Sequence, residues 1–251
     1  MADRGVFPRG TSPEGTSSEQ DASRNVREMF TRIAPRYDLL NHLLSAQMDR
    51  VWRARAAREL RSILERPEAL VLDLCCGTGD LAFALGARGK ARIVGADFSH
   101  TMLVRALDKS RIAEVPIRFF EADALCLPIQ NSSLDLVATA FGFRNLANYE
   151  AGLREILRVL RPGGTLAVLE FTEPPPGLLG TAYRFYTQKV LPRVGGLISG
   201  DKEAYAYLPR SVSRFFRPDE LAALMVSAGY KPVRYQLMML GSVALHLAGK
   251  P

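Results

Sequence analysis

The chain has 251 residues, 47% of them apolar and 24% charged, and carries a net charge of +7. That is enough apolar matter to bury one full α/β core, and the composition is too ordinary for a disordered, collagenous or coiled-coil protein. No stretch approaches the ~20 apolar residues of a membrane span. The three cysteines, Cys75, Cys76 and Cys126, suit a reducing, cytoplasmic setting. Cys75 and Cys76 are adjacent and lack the ligand spacing of a metal centre, so no metal is expected.

Residues 1–21 are polar, rich in Gly, Ser and Pro, and include Asp3, Glu14, Glu19 and Asp21. This predicts a disordered leader without the apolar or acid-poor character of a targeting peptide. A single domain is expected over 22–251. Val26, Met29, Phe30 and Ile33 share one face at helical spacing, so residues 22–34 read as a helix that Pro35 ends. A short segment, Tyr37 to Leu44, leads into an Arg-rich helix from Met48 to Arg66, closed by Pro67. Residues 22–67 would thus form a helical cover.

The period then changes. Ala69 to Leu74 is a short apolar run that reads as a buried strand entering a turn at Gly77-Thr78-Gly79-Asp80. Strands near 91–96, 116–120, 134–140 and 164–171 alternate with helices near 80–87, 100–112 and 148–160. Alternating βα units with apolar strands predict a mostly parallel sheet covered on both faces, the Rossmann-like α/β class. Pro162-Gly163-Gly164 reads as a turn before the fifth strand. Residues 173–216 read as an irregular insert, with Tyr183, Phe185, Tyr186, Tyr205 and Tyr207 as aromatic material for a substrate lid or for plain core. A helix over 218–228 begins with Pro218 in its first turn. Two last runs, 231–239 and 241–248, meet at a tight Gly241-Ser242 turn, giving a seven-stranded sheet whose final strand is antiparallel.

Charge is unevenly spread: 12 basic against 9 acidic residues in 1–66, 11 against 13 in 67–176, and 10 against 4 in 177–251. Basic flanks could meet nucleic acid or an anionic membrane surface, or be ordinary solvated surface. Arg50, Arg53, Arg55 and Arg58 carry the first flank. Arg184, Lys189, Arg193, Lys202, Arg210, Arg214 and Arg217 carry the second.

The sharpest motif is Val71-Leu72-Asp73-Leu74-Cys75-Cys76-Gly77-Thr78-Gly79-Asp80. Gly77 and Gly79 after a first strand let a ligand approach the backbone closely. A dinucleotide fingerprint wants a third glycine where Ala82 stands, which a small residue can replace. Asp97 closes the second strand, where a carboxylate can accept ribose hydroxyls. Asp123 and Ala124 follow the third strand, where a carboxylate could accept from an adenine amino group. Acidic strand ends at Asp73, Asp97 and Asp123 suit a positive sulfonium and would repel a pyrophosphate. That favours S-adenosylmethionine (SAM) over a nicotinamide dinucleotide.

These residues, with further blocks, resemble the UbiE/MenG/Coq5 family of quinone-biosynthesis C-methyltransferases. One block is Tyr37-Asp38-Leu39-Leu40-Asn41 with Ser45 and Trp52, where Asp49 stands in a position that is often His. Another runs from Arg158 through Arg161-Pro162-Gly163-Gly164 to Leu169-Glu170-Phe171-Thr172, with Arg161 in place of Lys and Thr172 in place of Ser. Similarity extends through Phe141-Gly142-Phe143-Arg144-Asn145, Val190 to Gly195, Tyr205 to Leu208, and Val243 to His246. The resemblance implies a class I SAM-dependent methyltransferase, with Thr78, Asp97, Asp123 and Ala124 as cofactor contacts. It also implies a polyprenyl quinol substrate, most readily demethylmenaquinol, or else a 2-methoxy-6-polyprenyl-1,4-benzoquinol.

Methylation at an aromatic carbon needs an electron-rich ring in line with the methyl and a group that stabilises a phenolate. Arg144 and Asn145 follow the fourth strand, at the end of the sheet where ligands bind. The expectation is that Arg144 holds the oxyanion and Asn145 orients it, against the alternative that Arg144 pairs with a helix carboxylate. His246 is a rival base, though a lone strand histidine is more often structural. A nucleic-acid methyltransferase would account for the basic charge, but the residues after the fourth strand, Phe141-Gly142-Phe143-Arg144, are not the Pro-Pro-aromatic block of base methylation. No nucleic-acid partner is therefore expected. A methylase of another small metabolite and a non-catalytic assembly subunit are the other rivals. Peripheral contact with the inner face of an anionic membrane follows from the quinol reading, and a homo-oligomer is left open.

Overall fold

The computed structural model describes residues 9–174, 177, 180, 181, 185, 186 and 202–251. Tyr183, Arg184, Lys189, the Val190–Gly195 block and the side chains of Lys202 and Tyr205 lie outside the described residues.

Seven strands form one sheet: β1 (Leu70–Leu74), β2 (Arg92–Asp97), β3 (Arg118–Glu121), β4 (Leu134–Ala140), β5 (Leu160–Phe171), β6 (Val233–Met238) and β7 (Val243–Gly249). Their order is β3-β2-β1-β4-β5-β7-β6. Neighbours from β3 to β5 run parallel, and β7 runs antiparallel to both β5 and β6. The expected mostly parallel sheet with a final antiparallel strand is what forms. Alternate residues of each strand feed two cores, as the period of two requires. Leu72, Leu74, Val137 and Val168 pack on one face, and Val71, Leu136, Ala138 and Ala167 on the other.

Strand order reverses between β1 and β4, which opens a crevice at the carboxyl ends of those strands. Helices α1 (Glu19–Ile33), α2 (Tyr37–Leu44), α3 (Met48–Glu59) and α4 (Arg61–Leu64) precede β1. The Ser18 hydroxyl caps α1 by accepting from the Asp21 N–H at 3.1 Å, and Ala22, Val26, Met29 and Ile33 are its buried face. Between strands come α5 (Asp80–Gly86), α6 (His100–Ile112) and α7 (Tyr149–Val159). After β5 come α8 (Lys202–Arg214) and α9 (Pro218–Ser227).

Four expectations need correction. The Met48–Arg66 helix breaks at Leu60, whose backbone (φ −95°, ψ 3°) separates α3 from α4. Pro162-Gly163-Gly164 is not a turn before β5 but a bulge inside it: Leu134 pairs with Leu160, then Leu136 with Thr165, and Gly163 takes φ +77°. The insert is not wholly irregular, since α8 occupies its last third. The leader is ordered from Arg9 onward. Tyr149 N–H donates to the Arg9 carbonyl and Thr11 N–H to the Leu146 carbonyl, both at 2.8 Å. A Cβ on Gly10 would lie 1.8 Å from the Ala147 carbonyl oxygen, so glycine lets the polar segment lie against the loop after β4. Its backbone groups find protein partners there, which a count of polar residues does not foresee.

Candidate active site

Two cavities meet over the crevice. One, of about 70 Å³, is bounded by the strand ends, with Asp73, Gly77, Thr78, Asp97, Asp123 and Ala124 in its wall. Gly77 and Gly79 turn the chain there at φ +54° and +85°. A Cβ on Gly79 would come within 3.0 Å of the Phe119 ring, so the second glycine serves both conformation and packing.

Asp73 is only 1% exposed. Its Oδ2 accepts from the Ala82 N–H at 2.8 Å, while Oδ1 has no hydrogen-bond partner among the described residues. Burial pushes its acid up to about 8. Asp97 accepts from the Gly77 N–H (2.8 Å) and the Ser99 N–H (2.9 Å), and burial raises it to about 6 against those bonds. Asp97 therefore holds the glycine turn in place. Asp123 is exposed, accepts from the Leu125 N–H at 2.9 Å, and precedes buried Ala124. Burial raises the Cys75 and Cys76 thiols well above their ordinary range.

Thr78 is buried and closed over by the amino-terminal helices. Its hydroxyl donates to Asp38 Oδ1 at 2.5 Å, and Lys109 Nζ donates to the same hydroxyl at 3.3 Å, to Asp38 Oδ2 at 3.0 Å and to Asp80. The signature block explains itself here. Tyr37, Asn41 and Ser45 fall at helical spacing of four and all line the second cavity, while Asp38, one residue on, reaches Thr78.

The second cavity is larger, about 190 Å³, and mostly apolar, with Met29, Ile33, Trp52, Phe171, Leu208 and Val212 in its wall. Trp52, Phe141 and Phe171 form an aromatic group, with Phe141 and Phe171 centroids 4.4 Å apart. Of the expected lid aromatics, Tyr186 and Tyr207 line this cavity, and Phe185 is 63% exposed.

Arg144 lines the apolar cavity at 5% exposure. It pairs not with a helix carboxylate but with Glu170 at the end of β5: Nη1 lies 2.9 Å from Oε1, and its own backbone N–H donates to Oε2 at 3.2 Å. Nη1 also donates to the Phe141 carbonyl, and Nε to Ser211 Oγ at 3.2 Å. Burial opposes the Arg144 charge, yet Glu170, together with Tyr207 and Tyr37, more than offsets it and holds the guanidinium protonated. Asn145 belongs to the strand-end cavity, and its Oδ1 accepts from the Tyr207 hydroxyl at 2.9 Å, tying α8 to the loop after β4. His246 is elsewhere. It is buried in β7, its Nε2 lies 2.9 Å from the Pro218 carbonyl, and it lines neither cavity. Burial lowers its affinity for a proton.

Position 49 has its own network. Asp49 accepts from Ser45 Oγ at 2.7 Å, lies 2.8 Å from His42 Nδ1, and pairs with Arg53. Burial works against the Asp49 carboxylate, but Ser45 and Arg53 outweigh it and hold the group below its ordinary value. His42, Asp49 and Asp80 bring potential ligand atoms within 4.8 Å of one another. Arg53 and Lys109 already compensate those carboxylates, so the donor set does not fit a cation.

A model of the ubiE/COQ5 methyltransferase family matches residues 17–250. The chain belongs to this family. It is 51% identical to the demethylmenaquinone methyltransferase of Thermus thermophilus, over 89% of this chain and 100% of that one. It is 47% identical to the Deinococcus radiodurans protein of the same name, over 92% and 95%. A ubiquinone/menaquinone biosynthesis C-methyltransferase from Syntrophotalea carbinolica is 43% identical, over 89% and 93%. Among solved structures, a SAM-dependent methyltransferase from Thermotoga maritima superposes with a TM-score of 0.62 at 20% identity, covering 89% of this chain and 99% of that one. That likeness speaks for the Rossmann-like methyltransferase fold. Tyr37 and Arg53 line the apolar cavity and Glu170 pairs with Arg144, although motif reading gave none of the three a role. Tyr37 and Glu170 stand in the signature blocks and Arg53 in the basic flank, but only folding brings residues 37, 53, 144 and 170 to one place.

Proposed function

We propose that this ubiE/COQ5 family member transfers a methyl group from SAM to a ring carbon of a polyprenylated quinol, with demethylmenaquinol the first candidate. One observation carries the reading: an acidic strand-end cavity and a mostly apolar cavity share a wall of Phe30, Tyr37, Arg53 and Phe141. SAM would supply an electrophilic methyl on a positively charged sulfur. The strand-end residues suit it. Asp73 has a buried oxygen to spare, Asp97 stands where ribose hydroxyls would reach it, and the carboxylates of that wall, Asp73, Asp80, Asp97 and Asp123, outnumber its one cation, Arg53, which disfavours a pyrophosphate.

In this reading Asp97 and Asp123 bind the nucleoside hydroxyls and amino group, Ala124 packs on the base, and Gly77, Thr78 and Gly79 shape the turn. The apolar cavity takes the ring and the first part of its prenyl tail. Arg144 faces the ring oxygen with Nη2, which has no hydrogen-bond partner among the described residues, and Asn145 fixes the approach through Tyr207. Names given to relatives support a second substrate, a methoxy-polyprenyl-benzoquinol, since several are named for ubiquinone as well as menaquinone biosynthesis.

A prenylated quinol resides in a bilayer, so the reading entails contact with a membrane surface; no described helix is long and apolar enough to cross one. Complementation of strains lacking each quinone methylation, with lipid quinones read by mass spectrometry, tests the assignment. Restored menaquinone supports it. Restored ubiquinone alone moves it to the second substrate, and restoration of neither removes both.

A further inference from the structure

The geometry points to Arg53 as a second catalytic cation, which donates to the ring oxygen nearest the methyl where the two cavities meet. The inference rests on the quinol reading and deepens it. Four residues line both cavities, Phe30, Tyr37, Arg53 and Phe141, and Arg53 alone of these bears a permanent charge. Arg144 lines the apolar cavity only, and its Nε and Nη1 are taken by Ser211, Phe141 and Glu170, which leaves Nη2 for a ring oxygen on that side.

Arg53 is built in, not left over. It is 7% exposed, Nη1 pairs with Asp49 and lies 3.6 Å from Asp80, and the guanidinium carbon sits 5.6 Å from the Phe141 ring centre. Asp49 is itself pinned by Ser45 and His42. Every described hydrogen bond of Arg53 uses Nη1, so its Nε and Nη2 donors have no partner among the described residues. A buried guanidinium with unused donors on a cavity wall is a ready site for an anionic oxygen. Arg53 lies over the Phe141 ring and Arg144 over the Phe171 ring, each at 5.6 Å, and the two rings pack against one another at 4.4 Å, so two cations border one aromatic pair. A dihydroxy ring offers two oxygens, one for each cation.

The chemistry balances as follows. The ring hydroxyl gives its proton to water and leaves an oxyanion, which Arg53 receives. The ring carbon then forms its bond to the methyl as the methyl–sulfur bond breaks, the electron pair staying on sulfur. Loss of the ring C–H proton to water and return of a proton to the oxygen restore the aromatic quinol, for a net release of one proton. Arg53 accepts no proton. The charged groups facing it are Asp49 and Asp80, with Asp73 and Tyr37 within electrostatic reach.

The test compares wild type with Arg53→Met and Arg53→Lys, measuring SAM affinity, kcat and KM for demethylmenaquinol, and the pH profile of kcat. Arg53→Met is expected to lose about tenfold or more in kcat, the effect of one charged hydrogen bond. The acid limb of its profile should move to higher pH, because the quinol ionises less readily without the cation. Added guanidinium should restore part of the rate. A purely structural arginine would give neither the shifted limb nor the rescue. Turnover within about threefold of wild type, with an unmoved limb and SAM bound, overturns the proposal. Should Arg53→Met not fold, Arg53→Lys keeps the charge and loses the forked donors. It should also lose about tenfold in kcat, and wild-type turnover in that variant overturns the proposal equally. A wild-type chain that binds SAM but methylates no quinol removes the substrate reading itself, a different result from an unaffected variant.

Discussion

Asp97 and Asp73 sit at neighbouring strand ends and do different work. Asp97 accepts from Gly77 and Ser99, so its carboxylate both shapes the turn and presents remaining lone pairs to the crevice. Asp97→Ala should weaken SAM binding by roughly 1.5–3 kcal/mol, the range for charged hydrogen bonds. Unchanged affinity in titration calorimetry would contradict its assignment. Asp73 is protonated up to about 8 when folded because burial disfavours its charge. An unfolded aspartate ionises near 3.9. The folded state thus holds one more proton between those values, and this group's contribution to stability falls as pH rises from about 4 to 8. A cation bound beside Asp73 favours the ionised form. SAM binding at pH 7 should then release a proton, seen as a binding enthalpy that depends on the buffer's ionisation enthalpy; an enthalpy independent of buffer contradicts the account. The positions of both carboxylates were legible in the sequence, because a strand end is a local feature. The unpaired Oδ1 was not, because burial depends on α3 and α5 packing over β1.

At the scale of elements, Arg144 ties the loop after β4 to the end of β5 through Glu170, which is 1% exposed. Removing one partner of a buried pair strands the other charge, so Arg144→Ala should cost about 3–5 kcal/mol of stability beside any loss of rate. The double change with Glu170→Gln should recover a large part, by thermal or denaturant unfolding. A single variant as stable as wild type would show the pair to be idle. The alternative partner expected for Arg144 was a helix carboxylate, yet the partner lies 26 residues on in a strand. That is tertiary information. The bulge at Gly163 was missed for a related reason: a Pro-Gly-Gly run signals a turn, but only the pairing of Leu134 with Leu160 makes it a bulge in a strand. The order of βα units, by contrast, was readable, because apolar runs of strand length between amphipathic helices leave few topologies. His246 illustrates the value of position over residue type: β7 and the start of α9 enclose it away from both cavities.

For the whole molecule, charge and apolar surface bear on where the protein works. Arg50, Arg55 and Arg58 on α3 are exposed, whereas Arg53, expected among them, turns inward to Asp49. Leu39, Leu43 and Val51 of α2 and α3, and Met239 and Leu240 between β6 and β7, are exposed large apolar residues. Asn41, Ser45 and Met239 line the apolar cavity, so these side chains neighbour its walls in sequence. Each basic residue near an anionic surface contributes about 1 kcal/mol and is screened by salt. Cosedimentation should show reversible binding to anionic vesicles that weakens as salt rises, and weaker binding to neutral ones. Equal binding to both, or none to either alongside full activity on membrane-embedded quinol, contradicts a basic docking face.

Methyl transfer to a quinol ring carbon is open to direct measurement. The direct measurement incubates the purified chain with SAM carrying a deuterated methyl group and demethylmenaquinol in anionic vesicles, then reads the extracted quinones by mass spectrometry. Deuterated methyl on the ring of menaquinol, abolished by Asp97→Ala, is the result expected. A chain that binds SAM and labels neither that ring nor the methoxy-benzoquinol analogue would contradict the account.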